Sequence, residues 1–314
     1  MENNLVLSKF WTRILAMLID SLILGVFGFL LGLIFNTFFI SIGETAKLIG
    51  WVISLIYFSV LNSKINKGQT FGKKIMNIQV VDIQGNFISL KNSFIRAFIL
   101  TTPFFLNGLK IKGVSTFSPI TIVQGIIIFT VGLGIIIFYI FNKQTRQSVH
   151  DIAVKTYVVK EHRERGMNLV PKVIKLPYYI TGAIFLCVVC GSFYNYNSNS
   201  ELMKLLPVYE KIQDQDHISN ASISMNYSLF ENKENRRCTY IARISVNEIP
   251  TDTSINNPEL QKTAKIFIDS NVYKSDDDIL NIIVVSGYDI GIASKYQSFN
   301  FYKPISEWKK DFNK

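Results

Sequence analysis

Residues 13–40 read R-I-L-A-M-L-I-D-S-L-I-L-G-V-F-G-F-L-L-G-L-I-F-N-T-F-F-I, and after Arg13 the stretch carries a single charge, Asp20. A run of that length and apolarity reads as a membrane-spanning helix over 14–40. At ~1.5 Å per residue, Asp20 lies roughly 10 Å beyond Arg13, inside a ~30 Å hydrocarbon layer. An acid at that depth costs about 2.5–3.5 kcal/mol on insertion scales, so it needs a partner and marks a candidate site. Seven residues make nearly two helical turns, which puts Arg13 and Asp20 on about the same face.

Further apolar runs occupy 46–62, 119–141 and 177–193, with a shorter one at 92–109 that contains Arg96 and Pro103. The loops decide whether 92–109 crosses. Lys64, Lys67, Lys73 and Lys74 fill one loop; Lys143, Arg146, Lys155, Lys160, Arg163, Arg165, Lys172 and Lys175 fill another. By the positive-inside rule both are cytoplasmic, so the chain crosses twice between them, at 92–109 and 119–141. The expected fold is therefore an α-helical transmembrane bundle of about five spans, with the amino terminus inside and the carboxyl terminus outside. The alternative makes 92–109 a re-entrant helix and strands one basic loop on the wrong side.

Charge divides the chain in two. Residues 1–193 hold 19 Lys+Arg and 7 Asp+Glu, whereas residues 194–314 hold 14 and 16. The overall +10 thus belongs to the membrane half and its short loops, which argues against nucleic-acid binding. The first apolar run is too long, and too poor in small residues at its end, for a cleavable signal peptide.

Between the spans, residues 68–90 read as a cytoplasmic hairpin-like loop, with two β-type runs in 75–90 around Asp82–Gly85. The preceding GQTFGKK, Gly68 to Lys74, has three residues between its glycines and no hydroxyl after the lysine, so it is not a phosphate loop. Residues 161–176 form a basic linker to the fifth span, 177–193, and 194–200 (YNYNSNS) reads as a further linker. Residues 201–314 are then a small soluble α+β domain outside the cell, with strands at 222–230, 236–249, 279–286 and 290–302 and a helix at 258–273. Leu260, Ala264, Phe267 and Ile268 share one side of that helix.

Chemistry-bearing motifs are scarce. Cys187 and Cys190 form a C-x-x-C inside an apolar run and read as small membrane residues, and Cys238 stands alone. Asp276–Asp278 lacks the spacing of a calcium loop and reads as a solvated turn, and His217 reads as isolated, with no nucleophile or ligand partner nearby. No metal, no cofactor and no enzymatic signature is expected.

Three blocks remain: R-I-L-A-M-L-I-D (Arg13 to Asp20), G-Q-T-F-G-K-K-I-M-N-I-Q-V-V-D (Gly68 to Asp82) and R-Q-S-V-H-D-I-A-V-K-T-Y-V-V (Arg146 to Val159). In this order they resemble the RDD family of membrane proteins over residues 9 to 160. The resemblance assigns the family arginine to Arg13 and the two aspartates to Asp20 and Asp151. It implies transport of ions or small ligands and covers neither the fifth span nor the domain after it.

Two functions follow as expectations. In the first, Arg13, Asp20, Asp151, His150 and Arg96 line an ion or ligand site of a cell-membrane carrier, which with so few spans would be a homo-oligomer. Arg13 would pair with Asp151 across helices, and Asp20 would take Arg96, a hydroxyl, a water or a cation. In the second, the same residues are a structural polar network, and the bundle anchors an outer domain that binds a protein or ligand partner.

Overall fold

The computed structural model describes residues 6–110, 114, 118–161, 173–197, 201–227 and 237–312. Helix α1 (Phe10–Ile34) is apolar around its whole circumference, and one narrow stripe of it is buried: Ala16, Asp20, Leu24, Gly28 and Gly32. The rest faces outward, with Leu22 68% and Leu33 60% exposed, as expected of a surface that meets lipid rather than water. The 14–40 run is not one helix. It breaks at Phe35, and α2 (Asn36–Ile42) follows as a separate short helix. A sequence apolar on all sides carries no periodicity to mark such a break.

Helix α3 (Ala46–Leu61) returns along the bundle. Helix α5 (Leu90–Leu106) runs antiparallel to it over its whole length. The Ser93 hydroxyl donates to the Phe58 carbonyl (3.3 Å), Trp51 Nε1 to Thr101 Oγ1 (3.2 Å), and Lys47 Nζ to the Asn107 carbonyl (3.2 Å). The short run at 92–109 therefore reaches as far as α3 does. Pro103 lies inside α5, and the π turn at Ile127–Gly132 sets Gly132 against its ring. That turn joins α6 (Pro119–Ile126) to α7 (Leu133–Phe141). Helix α9 (Leu176–Asn197) packs on α7 through Phe138 and Tyr178, whose rings lie 4.8 Å apart. It continues through most of the Asn- and Ser-rich stretch expected to be a linker, of which 198–200 lie outside the described residues.

Among the described residues, three helical stretches are long and apolar enough to cross a membrane: Phe10–Ile34, Asn36–Leu61 and Pro119–Phe141; α9 is apolar over a shorter stretch, Leu176–Gly191.

The expected hairpin at 75–90 does not form. Its turn is present, with Gly85 at φ +83° donating to the Asp82 carbonyl. However, β1 (Ile78–Asp82) pairs antiparallel with β2 (Thr156–Lys160), not with the residues after the turn. Two loops distant in sequence thus meet in one small sheet, at what we call the loop end of the bundle. Helices α4 (Phe71–Ile75) and α8 (Val149–Ala153) lie beside it.

At the far end sits the sheet domain. Its order is β3 (Ile218–Tyr227), β4 (Cys238–Val246), β5 (Ile279–Asp289), β6 (Ser294–Pro304). The β4–β5 pair is parallel, which demands a crossover, and α11 (Pro258–Asp269) supplies it. Helices α10 (Glu201–Gln213) and α12 (Ile305–Phe312), both unanticipated, join α11 over one face of the sheet around Tyr240, Phe267 and Trp308. The expected helix at 258–273 ends four residues early, where Asn271 takes a positive φ. Asp278 is no solvated turn residue: it is buried and accepts the backbone N–H groups of Cys238, Lys274 and Ser275.

Candidate functional site: a polar centre at the loop end

Asp20 and Asp151 anchor two adjoining halves of one polar centre. Asp20 is 2% exposed and level with Tyr57, one turn from the end of α3. Its Oδ1 accepts the Tyr57 hydroxyl (2.7 Å) and the Gly72 N–H (2.8 Å), and its Oδ2 accepts the Thr70 hydroxyl (2.6 Å). Thr70 caps α4, and Gly72 packs so closely on the Ala16 carbonyl that any Cβ there would collide with it. The Gly68–Lys74 block therefore folds into a clamp on the acid of α1. Of the partners open to Asp20 in the sequence, hydroxyls are used and Arg96 is not.

Asp151 is fully buried. Its Oδ1 receives Arg96 Nε (2.9 Å) and Nη2 (2.7 Å), with the Thr156 hydroxyl at 3.3 Å. Its Oδ2 receives Arg13 Nη2 (2.7 Å) and the Ser148 N–H (3.3 Å). Arg13 also donates to the Arg146 carbonyl and lies over the Tyr139 ring, 4.9 Å from its centre. The expected Arg13–Asp151 pair thus forms, and Arg96 completes it. Burial works against ionising Asp151, but Arg96 leads the charges that hold its carboxyl well below the ordinary range. Removing one member of such a buried pair costs on the order of 3–5 kcal/mol, because the other is left uncompensated.

His150 lies 3.6 Å from Asp151 Oδ2 through Nε2, and its buried Nδ1 has no hydrogen-bond partner among the described residues. It is not tied to backbone as an interfacial histidine would be. Burial pushes its pKa down to about 3, so the imidazole is neutral at physiological pH. Lys73 is the member that a count of expensive charges overlooks. Its ammonium meets the Asn62 side-chain oxygen, and burial, reinforced by Arg96, lowers its pKa to about 7 against the pull of Asp20. Lysine in a basic loop signals only orientation; nothing in the sequence told Lys73 from Lys74. Tyr57 and Thr70 were equally silent, being ordinary residues whose role exists only once α1 and α4 meet.

His217 is not isolated: its Nδ1 lies 2.6 Å from Glu248 Oε1 on the exposed edge of the sheet domain. Among the described residues no group of His, Cys, Asp and Glu is arranged to hold a metal ion.

With Arg13, Asp20 and Asp151 assembled by their three blocks, comparison with known proteins is direct. The model of the RDD family matches residues 7–155. This part of the chain belongs to the RDD family. The chain is also similar to the uncharacterized protein YxaI of Bacillus subtilis (strain 168), 28% identical over 172 residues that make up 48% of this chain and 95% of YxaI. No solved structure matches it. The sheet domain follows this family segment in the chain and lies outside the match.

Proposed function

We propose that this RDD bundle is a multi-pass anchor in the cell membrane, that its polar centre fastens the loop end, and that the sheet domain is presented outside to a protein or ligand partner. The observation that carries the first part is saturation: all four carboxylate oxygens of Asp20 and Asp151 are engaged, by two guanidinium groups, three hydroxyls and two backbone N–H groups. A carrier acid must exchange partners, whereas these hold five stretches of chain together: α1, α3, α4, α5 and Ser148–Thr156. Orientation follows from charge. The loops gathered by the β1–β2 sheet carry the excess of lysine and arginine, so that end faces the cytoplasm and the sheet domain faces outward. Five crossings, with α5 and α9 among them, satisfy this arrangement.

The carrier reading keeps one observation of its own, Lys73, whose lowered pKa would let it exchange a proton near neutral pH beside Asp20. The orientation is tested with single cysteines at exposed positions in a chain whose natural cysteines are replaced. In intact cells a membrane-impermeant maleimide labels Lys295→Cys and leaves Lys160→Cys unlabelled until the membrane is permeabilised. The reverse pattern contradicts the proposal.

A further inference from the structure

The turn between β5 and β6 leaves its own sheet and wedges into the far end of the bundle. Tyr288 and Ile290 are 3% and 0% exposed there, packed with Phe39, Ile40 and Ala46. The helices make room by losing side chains. On α1, Gly28 faces Ile292 and Gly32 faces the Tyr288 phenol; on α3, a Cβ at Gly50 would run into the Ile290 carbonyl oxygen. Glycine is a poorer helix former than alanine, and at these positions the close approach of the turn leaves no room for a Cβ.

The turn is also suited to its surroundings. Backbone at membrane depth must be paired internally or buried against protein. The Ile290 N–H donates to the Ala293 carbonyl (3.0 Å) and the Gly291 N–H to Asp289 Oδ1 (2.7 Å), with Gly291 at φ +76° against Phe105. Around this apolar tip runs a polar clasp: Lys47 meets Asp289 at 3.2 Å and Glu44 at 3.3 Å, and Asn220 donates to Glu44 at 3.1 Å. Behind the tip, α3 continues from Gly50 to the buried Ser54 and then to Tyr57, which holds Asp20.

We infer that the crevice between α1, α3 and α5 is a binding site whose tethered occupant is the β5–β6 turn, a plug that closes the far end of the bundle over the line Ser54–Tyr57–Asp20. A small apolar tip flanked by one ion-paired lysine has the make-up of an inter-domain contact, for which relative motion is the default. Release of the turn at the far end requires no change in the partners of Asp20 or Asp151.

The test uses the full chain in liposomes, with the natural cysteines replaced and Ser54→Cys as reporter for a water-soluble thiosulfonate. Gly50→Ala evicts the tip while improving the helix propensity of α3. Gly125→Ala, at a position with open space around it, is the control. The expected result is protection of the introduced thiol in the reporter chain and in its Gly125→Ala variant, with labelling roughly tenfold faster or more in its Gly50→Ala variant. Equal labelling in all three chains overturns the plug, whether that thiol is reactive or protected throughout. So does acceleration by Gly125→Ala as great as that by Gly50→Ala.

Discussion

Lys73 shows how much of the polar centre depends on neighbours. A lysine with a pKa near 7 in the folded chain and 10.5 when unfolded binds fewer protons folded than unfolded between those values. Stability must then rise with pH across that window, by at most about 1.4 kcal/mol per unit for one group, and level off on either side. Thermal melting in detergent from pH 7 to 9.5 should show the natural chain gaining on Lys73→Met as pH increases. A constant difference would mean that Lys73 is not enclosed as described. Arg13, Asp20 and Asp151 were legible in the sequence because a charge in or beside an apolar run is costly and therefore conspicuous. Lys73, Thr70 and Tyr57 were not, since a hydroxyl or a loop lysine costs nothing until a neighbour buries it.

Elements were legible where their signals are local. The apolar spacing of α11 marks it plainly, and the Asp82–Gly85 turn is where the sequence puts it. Partners are a different matter. Strand β1 finds β2 more than 70 residues later, because the following residues lead into α5 rather than back along β1. Val80 and Val158 are opposed in this pair. The Val80 N–H donates to Gly68 and the Val158 carbonyl accepts from Ser8, so neither bonds to the other. Opposed residues of that kind lie about 4.5 Å apart at Cα, close enough for a disulfide. The double substitution Val80→Cys, Val158→Cys should cross-link on mild oxidation, seen as a reducible mobility shift. Failure to cross-link there, with Val80→Cys cross-linking to Phe87→Cys instead, would restore the hairpin that the sequence suggests.

Across the whole molecule, both ends of α1 are held by other parts of the chain. At the loop end α4 clamps Asp20, and at the far end the β5–β6 turn seats on Gly28 and Gly32. Loop charge alone placed the two basic loops together, and the β1–β2 sheet joins them there. The docking of the sheet domain was invisible in sequence, because glycines in an apolar helix look alike whether they face lipid, a helix or a turn. Asp20 and Asp151 act as fastenings within the bundle. The most direct test of that role is proton or cation flux driven by a pH or salt gradient in vesicles holding the purified full chain, compared with Asp20→Asn and with protein-free vesicles. Fastened acids give flux no faster than in protein-free vesicles for either chain, and a lower melting temperature for Asp20→Asn. Flux through the natural chain that is lost in a folded Asp20→Asn chain would contradict that role.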